Sequence, residues 1–206
     1  MVRLTKIYTK VGDGGRTMLG DGTMTQKSDA RVEAYGGVDE ANAALGLAVC
    51  ALAETRGPVA QQLREELLRV QQDLFDLGAD LCVPVGEKEA AGSRLRVTPE
   101  QVERLEKAID RFNEPLPALN SFVLPGGREP AARLHLARTV TRRAERAVAL
   151  LLERDPARTV PLTMIYLNRL SDLLFVAARA VNAESGAGDV LWIPGANRKG
   201  EGGSPA

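Results

Sequence analysis

Apolar residues recur at steps of three and four along most of the chain, a spacing that places them on one side of an α-helix. Five such series occur in the sequence, at 38–52, 59–81, 102–112, 131–153 and 161–181. Residues 98–101, Thr-Pro-Glu-Gln, have the form of a capping box at the start of the third helix. Five amphipathic helices with almost no strand pattern predict an all-α, up-and-down five-helix bundle with a four-helix-bundle-like core.

Two segments interrupt the helical pattern. Residues 9–22 read TKVGDGGRTMLGDG, and residues 113–130 carry prolines and glycines that break every helical turn. We expect the first segment to be an irregular glycine-rich loop ahead of the first helix. Residues 1–194 are expected to form a single domain, and residues 195–206 a disordered tail.

Composition and charge exclude several classes of protein. The 27 basic and 27 acidic residues cancel, so no overall field favours nucleic acid. No apolar run approaches the roughly 18 residues of a membrane span, and the N-terminus lacks the apolar core of a secretory signal. The two cysteines lack metal-ligand spacing, and a single histidine excludes a His-rich zinc site. We expect a cytoplasmic protein without protein-ligated metal, and without nucleic-acid or membrane partners.

The glycine-rich segment matches neither familiar phosphate motif. Gly15 and Gly20 have the Walker spacing, but Asp21 and Gly22 stand where lysine and serine or threonine are needed. The dinucleotide fingerprint fails because Thr17 occupies the place of its third glycine. Clustered glycines can still direct several backbone N–H groups at one anion. A flexible surface loop is the alternative.

A second candidate site is a row of arginines in the fourth helix. Arg138, Arg142 and Arg146 follow one another at four-residue steps, so they share one helix face. Three aligned guanidinium groups repel one another and favour a partner such as carboxylates or a polyphosphate. A solvated, purely structural face is the alternative.

Other polar and aromatic positions leave their roles open. Asn168 and Asp172 lie four residues apart in an otherwise apolar helix, where a buried amide that fixes helix register is one interpretation. Phe122, in SFVLPGG, either packs or faces a ligand. No serine, cysteine or histidine nucleophile has an evident base. This inventory favours a site that positions a polyphosphate while another molecule supplies the nucleophile.

Taken together, these segments resemble the PduO-type ATP:cob(I)alamin adenosyltransferases. The likeness extends from Leu4 to Pro194 and rests on TKVGDGGRTMLGDG, RVEAYGGVDEANA, SFVLPGG, ARTVTRRAER and YLNRLSDLLFVAAR, in that order. It implies transfer of the 5′-deoxyadenosyl group from ATP to cob(I)alamin, which gives adenosylcobalamin and triphosphate. Two alternatives are a non-catalytic ATP- or corrinoid-binding module that delivers cofactor to a B12-dependent mutase, and a phosphotransferase.

The resemblance also implies a homotrimer with active sites between adjacent subunits. One subunit would hold ATP through six residues of its N-terminal segment: Thr9, Lys10, Val11, Gly12, Thr17 and Lys27. The neighbour would complete the pocket with residues of its fourth and fifth helices: Arg142, Arg143, Ala144, Glu145, Arg146 and Asn168. Mg²⁺ would accompany the triphosphate, with no protein ligand assigned to it.

Four residues would act at the reacting groups by the same resemblance, namely Asp39, Phe122, Arg138 and Arg142. Asp39 would pair with Arg138 across the subunit interface, near the corrinoid. Phe122 would press on the lower face of the corrin and keep the lower axial position of cobalt empty. The implied partners are a cobalamin reductase and a B12-dependent mutase or dehydratase.

Overall fold

The computed structural model describes residue 8 and residues 10–198. Its five helices are α1 (Ala30–Ala53), α2 (Pro58–Cys82), α3 (Pro99–Asn113), α4 (Glu129–Arg154) and α5 (Leu162–Glu184). All five predicted helices are therefore confirmed, and the fold is a helical bundle. Thr9 lies outside the described residues, as do residues 199–206 of the expected tail, so neither prediction is tested.

The core is built by four antiparallel helices. Helix α1 packs against α2 and α4, and α5 packs against the same two helices from the other side. Arg31 at the start of α1 meets Leu81 at the end of α2, which fixes their opposite directions. Leucine, alanine and valine side chains from all five helices fill one continuous core. None of the helices in the described part of the chain combines the length and apolarity that a membrane crossing needs.

Helix α3 is attached to the outside of this core through a buried carboxylate of α2. Asp73 accepts hydrogen bonds from the Tyr166 hydroxyl at 2.7 Å and from Gln101 Nε2 at 2.9 Å, and it pairs with Arg104. The predicted capping box is present, with Thr98 as the N-cap of α3. Burial and the neighbouring Asp73 raise the pKa of Tyr166, so its hydroxyl stays protonated and serves as the donor of this contact.

The glycine-rich segment contains regular structure that its sequence did not indicate. Strands β1 (Arg16–Met18) and β2 (Met24–Gln26) form an antiparallel hairpin in which Thr17 lies opposite Thr25. Asp21 stabilises the turn by accepting from the N–H of Thr23 at 2.9 Å and from its hydroxyl at 2.7 Å. Each strand has three residues and no apolar alternation, so the sequence pattern predicted only a loop.

Gly37 lets α1 approach α4 closely beside the arginine row. A Cβ atom at this position would lie 3.3 Å from the Cα and 3.4 Å from the Cβ of Ala144, which is fully buried. The preceding glycine, Gly36, has no atom within 4 Å of the same hypothetical Cβ. The two adjacent glycines therefore differ in packing while sharing one helix.

We expect Gly37→Ala to lower the free energy of unfolding by about 1 kcal/mol, because the added methyl meets the backbone of a buried helix. Gly36→Ala should raise it by about 0.5–1 kcal/mol through the helix preference of alanine. Urea unfolding of both variants measures the difference. Equal stabilisation by the two substitutions would contradict a close approach at Gly37.

Candidate functional site

The N-terminal half of the candidate site is a tight loop at residues 10–15. The N–H of Asp13 donates to the Lys10 carbonyl at 3.3 Å, and the N–H of Gly15 donates to the Gly12 carbonyl at 3.2 Å. The N–H of Lys27 closes the loop on Gly15 at 2.9 Å. The ammonium of Lys27 lies over Gly12, 3.1 Å from where a Cβ would stand. The structure thus brings Lys27 against the loop that carries Lys10 and Gly12.

The hairpin that follows is fixed to the end of the bundle. Thr17 forms a hydrogen bond with Tyr35 of α1; burial raises the pKa of Tyr35, and this bond opposes the rise. The N–H of Gly20 donates to the carbonyl of Cys82 at 3.0 Å. A Cβ at Gly20 would lie 2.6 Å from Val83, so glycine is required for this contact. Val11 stays largely exposed.

The arginine row lies on α4 as predicted, and its charges are poorly compensated. The acid nearest Arg142 within the described residues is Glu145, at 3.9 Å, and Arg142 is about half exposed. Arg146 donates to the carbonyl of Arg142 at 3.1 Å, which supplies no negative charge. Burial lowers the pKa of Arg138, and the charge of Arg142 lowers it further. The row is therefore a cationic strip that favours an added anion.

The remaining predicted residues of this half are held within the chain. Asn168 of α5 donates from Nδ2 to Glu145 Oε1 at 2.9 Å, and Asn168 Oδ1 accepts from Arg169 at 3.0 Å. Arg143 pairs with Glu40 of α1 at the surface. Ala144 is buried against Gly37. The amide at Asn168 thus joins α5 to α4 beside the row, and nucleotide contacts by these residues remain a prediction.

The loop and the arginine row do not meet within one chain. No hydrogen bond or ion pair among the described residues joins residues 10–27 to the Arg138–Arg146 row. The hairpin shares a hollow with the far end of α4, at Leu151 and Arg154. Leu151 is nine residues beyond Arg142, about 14 Å along the helix axis.

Asp39 and Arg138 likewise have no mutual contact in one chain. Asp39 is exposed on α1 and lines a hollow of about 320 Å³ with Phe75 of α2, whose side chain is 69% exposed. Its carboxylate forms no hydrogen bond or ion pair in the part of the chain that the structure describes. The Nε of Arg138 is buried and has no partner among the same residues. The Asp39–Arg138 pair is therefore not formed among the described residues of one chain.

Phe122 projects from a short platform, residues 121–124 and 190–192, at the end of the bundle where α4 begins and α5 ends. Its ring is 77% exposed, and its nearest aromatic neighbour is Trp192, with ring centroids 6.0 Å apart. The N–H of Trp192 donates to the Phe122 carbonyl at 2.7 Å, and the N–H of Leu124 donates to the Val190 carbonyl at 2.8 Å. The segments 121–124 and 190–192 therefore support each other and present two aromatic rings to solvent.

Sequence reasoning missed the residues that hold this platform. Arg179 and Asn182 are polar side chains in the apolar α5, the same signal that identified Asn168, and both are almost fully buried. Trp192 was not singled out, although the run VLWI stands out in a glycine-rich segment. These residues contact segments 54 or more positions away in sequence, or residues across the platform, and such pairings leave no periodic pattern.

His135 lies one turn before Arg138 and is 2% exposed. Neither ring nitrogen has a hydrogen-bond partner among the described residues, and Asp189 Oδ1 is likewise buried and unpaired. Burial lowers the pKa of His135, Arg138 lowers it further, and Asp189 opposes both. The native state therefore disfavours the charged imidazole.

We expect the free energy of unfolding to fall as the pH is lowered from about 7.5 to about 5.5, because the unfolded chain binds a proton at His135 that the native chain resists. One such proton contributes at most about 1.4 kcal/mol per pH unit. Denaturant unfolding across this range measures the slope. His135→Gln should flatten it, and equal slopes in the two proteins would contradict this assignment.

The described residues contain no group of three or more His, Cys, Asp or Glu side chains arranged to hold a metal ion. A magnesium ion that travels with a nucleotide needs only one or two protein ligands, because phosphate oxygens and water supply the rest. The lysines of the N-terminal loop and the arginines of the row carry positive charge that suits the phosphates of such a complex. Both cysteines are free thiols.

Known proteins resemble this chain over most of its length. The cobalamin adenosyltransferase family profile matches residues 7–181. The corrinoid adenosyltransferase of Mycobacterium tuberculosis is 47% identical over 197 residues, which cover 96% of this chain and 97% of that protein. The corrinoid adenosyltransferase of Bacillus subtilis is 47% identical over 188 residues, covering 91% and 92%.

Solved structures of PduO-type enzymes share the fold of this chain. A variant PduO-type ATP:corrinoid adenosyltransferase from Lactobacillus reuteri, complexed with cobalamin and ATP, superimposes with a TM-score of 0.82 at 38% identity. The match covers 92% of this chain and 97% of that structure. Another variant of the same enzyme, complexed with ATP, gives a TM-score of 0.80. The chain belongs to the cobalamin adenosyltransferase family.

Proposed function

We propose that this chain is an ATP:cob(I)alamin adenosyltransferase that converts ATP and cob(I)alamin to adenosylcobalamin and triphosphate. The observation that carries the proposal is the poorly compensated arginine row of α4, which provides a site for a polyphosphate leaving group. Family membership supplies the identity of the substrates.

The reaction needs little acid–base chemistry from the protein. The electron pair of Co(I) forms a bond to C5′ of ATP while the bond from C5′ to the triphosphate oxygen breaks, and triphosphate leaves with that electron pair. No proton is transferred in this step. The protein therefore contributes alignment of the two substrates and stabilisation of the negative charge on the leaving group.

The absence of a proton transfer distinguishes this reaction from that of a phosphotransferase. Transfer of a phosphoryl group to a hydroxyl acceptor requires a base for the acceptor proton. His135 is buried beneath the platform, and Asp39 lies in the hollow against α2, so neither is joined to the loop or the row within the described chain. A non-catalytic delivery module would differ from the enzyme by binding its ligands without turnover.

We further assign the nucleotide site to two subunits of a homotrimer. Lys10, Gly12 and Lys27 of one chain would cradle the triphosphate, and Arg142 and Arg146 of the next would close on it. The lack of contact between these two sets within one chain supports the assignment. The exposed Phe75 beside the unpaired Asp39 supplies an apolar and charged surface for the interface, with Arg138 as the partner of Asp39.

We assign binding of the corrinoid to the platform. Phe122, with Trp192 beside it, would cover the lower face of the corrin and exclude a ligand from the lower axial position of cobalt. Loss of that ligand makes Co(II) easier to reduce. A cobalamin reductase would supply the electron, and a B12-dependent mutase or dehydratase would receive the product. A cytoplasmic location, where ATP is available and thiols stay reduced, would suit this reaction and the two free cysteines.

The direct test incubates the purified protein with ATP, Mg²⁺ and chemically reduced cobalamin, and identifies the products by chromatography. We expect adenosylcobalamin and triphosphate in equal amounts. Release of ADP would indicate phosphoryl transfer, and tight binding without product would indicate a delivery module. Either outcome would overturn the proposal.

A further inference from the structure

Asn182 anchors the turn that follows Phe122. Its side chain is 1% exposed and uses both ends of the amide: Oδ1 accepts from the N–H of Arg128 at 2.9 Å, and Nδ2 donates to the carbonyl of Gly126 at 3.2 Å. Gly127, between these two residues, has a φ of 95°, and a Cβ there would overlap the amide of Asn182. The turn is thus seated directly on the end of α5.

Arg179, one turn earlier on α5, anchors the other side of the platform. It is 4% exposed, donating from Nη2 to the carbonyl of Pro117 at 2.7 Å and from Nε to Asp189 Oδ2 at 2.8 Å. Asp189 immediately precedes the segment that pairs with residues 121–124. The guanidinium of Arg179 therefore holds two segments at once: the one that leads to Phe122 and the one that pairs with residues 121–124.

The Phe122 ring has no comparable anchor of its own. It is 77% exposed and contacts the tilted Trp192 ring, which is itself 43% exposed. Its position is therefore determined by its backbone, and the backbone is tied to the bundle through Arg179 and Asn182. A shift of about 1 Å in a positioning group can reduce a rate by about 100-fold.

We propose that Arg179 and Asn182 are positioning residues that set how far Phe122 reaches toward the corrin. This inference rests on the corrinoid assignment of the platform given above. Both residues act through the backbone of Phe122 and touch no substrate. Their contribution is thus specific to the conversion that begins with Co(II), for which the lower axial ligand must leave.

The test compares Asn182→Ala and Gly127→Ala with Glu184→Ala. Glu184 lies two residues beyond Asn182 on α5 but accepts from the N–H groups of Val59 and Ala60 at the start of α2, away from the platform. All three substitutions weaken packing or backbone hydrogen bonds at one end of the bundle. Only the first two disturb the turn after Phe122, and Gly127→Ala does so without substituting a residue of α5.

The readout is the electron paramagnetic resonance spectrum of cob(II)alamin bound with ATP, which reports whether a lower axial nitrogen is present. We expect Asn182→Ala and Gly127→Ala to retain the nitrogen splitting and to lose about 10- to 100-fold in conversion from Co(II). Their Kd for ATP should be unchanged. Glu184→Ala should show the wild-type spectrum at a comparable loss in Tm.

A wild-type spectrum for both Asn182→Ala and Gly127→Ala would overturn the inference, as would the same spectral change in Glu184→Ala. Failure of the proposed function is a separate result: the wild-type protein would then form no adenosylcobalamin, and Phe122→Ala would leave the spectrum unchanged. A substitution that prevents folding is replaced by Arg179→Lys, which keeps the charge beside Asp189 and loses the fork geometry.

Discussion

Phe122→Ala is expected to leave ATP binding intact while reducing the conversion of cob(II)alamin to adenosylcobalamin by roughly 100-fold, or about 2.7 kcal/mol in activation free energy. The ring is mostly exposed and contacts one other aromatic ring among the described residues, so its removal should change the free energy of unfolding by less than about 0.5 kcal/mol. Steady-state rates under a reductant that generates cob(I)alamin only from bound cob(II)alamin measure the effect.

The comparison that isolates this effect starts the reaction from chemically prepared cob(I)alamin. We expect a smaller loss there, because the reduction step has been bypassed. Leu95→Ala is a matched control, since it removes another exposed apolar side chain, 55% exposed, from the connection between α2 and α3. Equal losses from Co(II) and Co(I), or an equal loss in Leu95→Ala, would identify Phe122 as merely structural.

Arg142→Ala should lower kcat/KM for ATP by about 2–3 kcal/mol, the contribution of a charge-assisted contact to the triphosphate. The variant should be no less stable than the parent, because Arg142 is about half exposed and its charge lowers the pKa of Arg138. A loss of activity without a loss of Tm therefore separates phosphate binding from folding. Initial rates at several ATP concentrations and thermal unfolding measure the two quantities.

Arg133 provides the matched control on the same helix. It already has a partner, Glu129, one turn away at 2.5 Å, so Arg133→Ala should leave both kinetic constants within about twofold. Arg142→Lys keeps the charge without the bidentate fork and should recover only part of the activity. Unchanged KM and kcat in Arg142→Ala would contradict the role assigned to the row.

The helices could be predicted from sequence because each buries a continuous apolar stripe with a period that the residues themselves display. Proline at the first helical position of α3, within the predicted capping box, also marked the start of that helix. The hairpin at Arg16–Gln26 was missed because its strands are too short for any alternation to register. Local patterns thus fixed the helices and left the short strands unspecified.

The candidate site likewise contains features that the sequence predicts and features that it does not. The arginine row was visible because four-residue steps place guanidinium groups together on any helix, whatever the tertiary structure. The contacts of Asn182 with Gly126 and of Trp192 with Phe122 join positions that are distant in sequence, and no spacing rule predicts them. The separation of Lys10 from Arg142 within one chain was implied by the family resemblance, and no spacing rule alone predicts it.

Mixing two inactive variants tests directly whether the active site is shared between subunits. Lys10→Ala inactivates the loop, and Arg142→Ala inactivates the row. Subunits mixed in equal amounts, after dissociation and reassembly, should regain about a quarter of the wild-type rate, because each intact half is present in half of the random trimer positions. A mixture no more active than its two components would contradict a site formed by two chains.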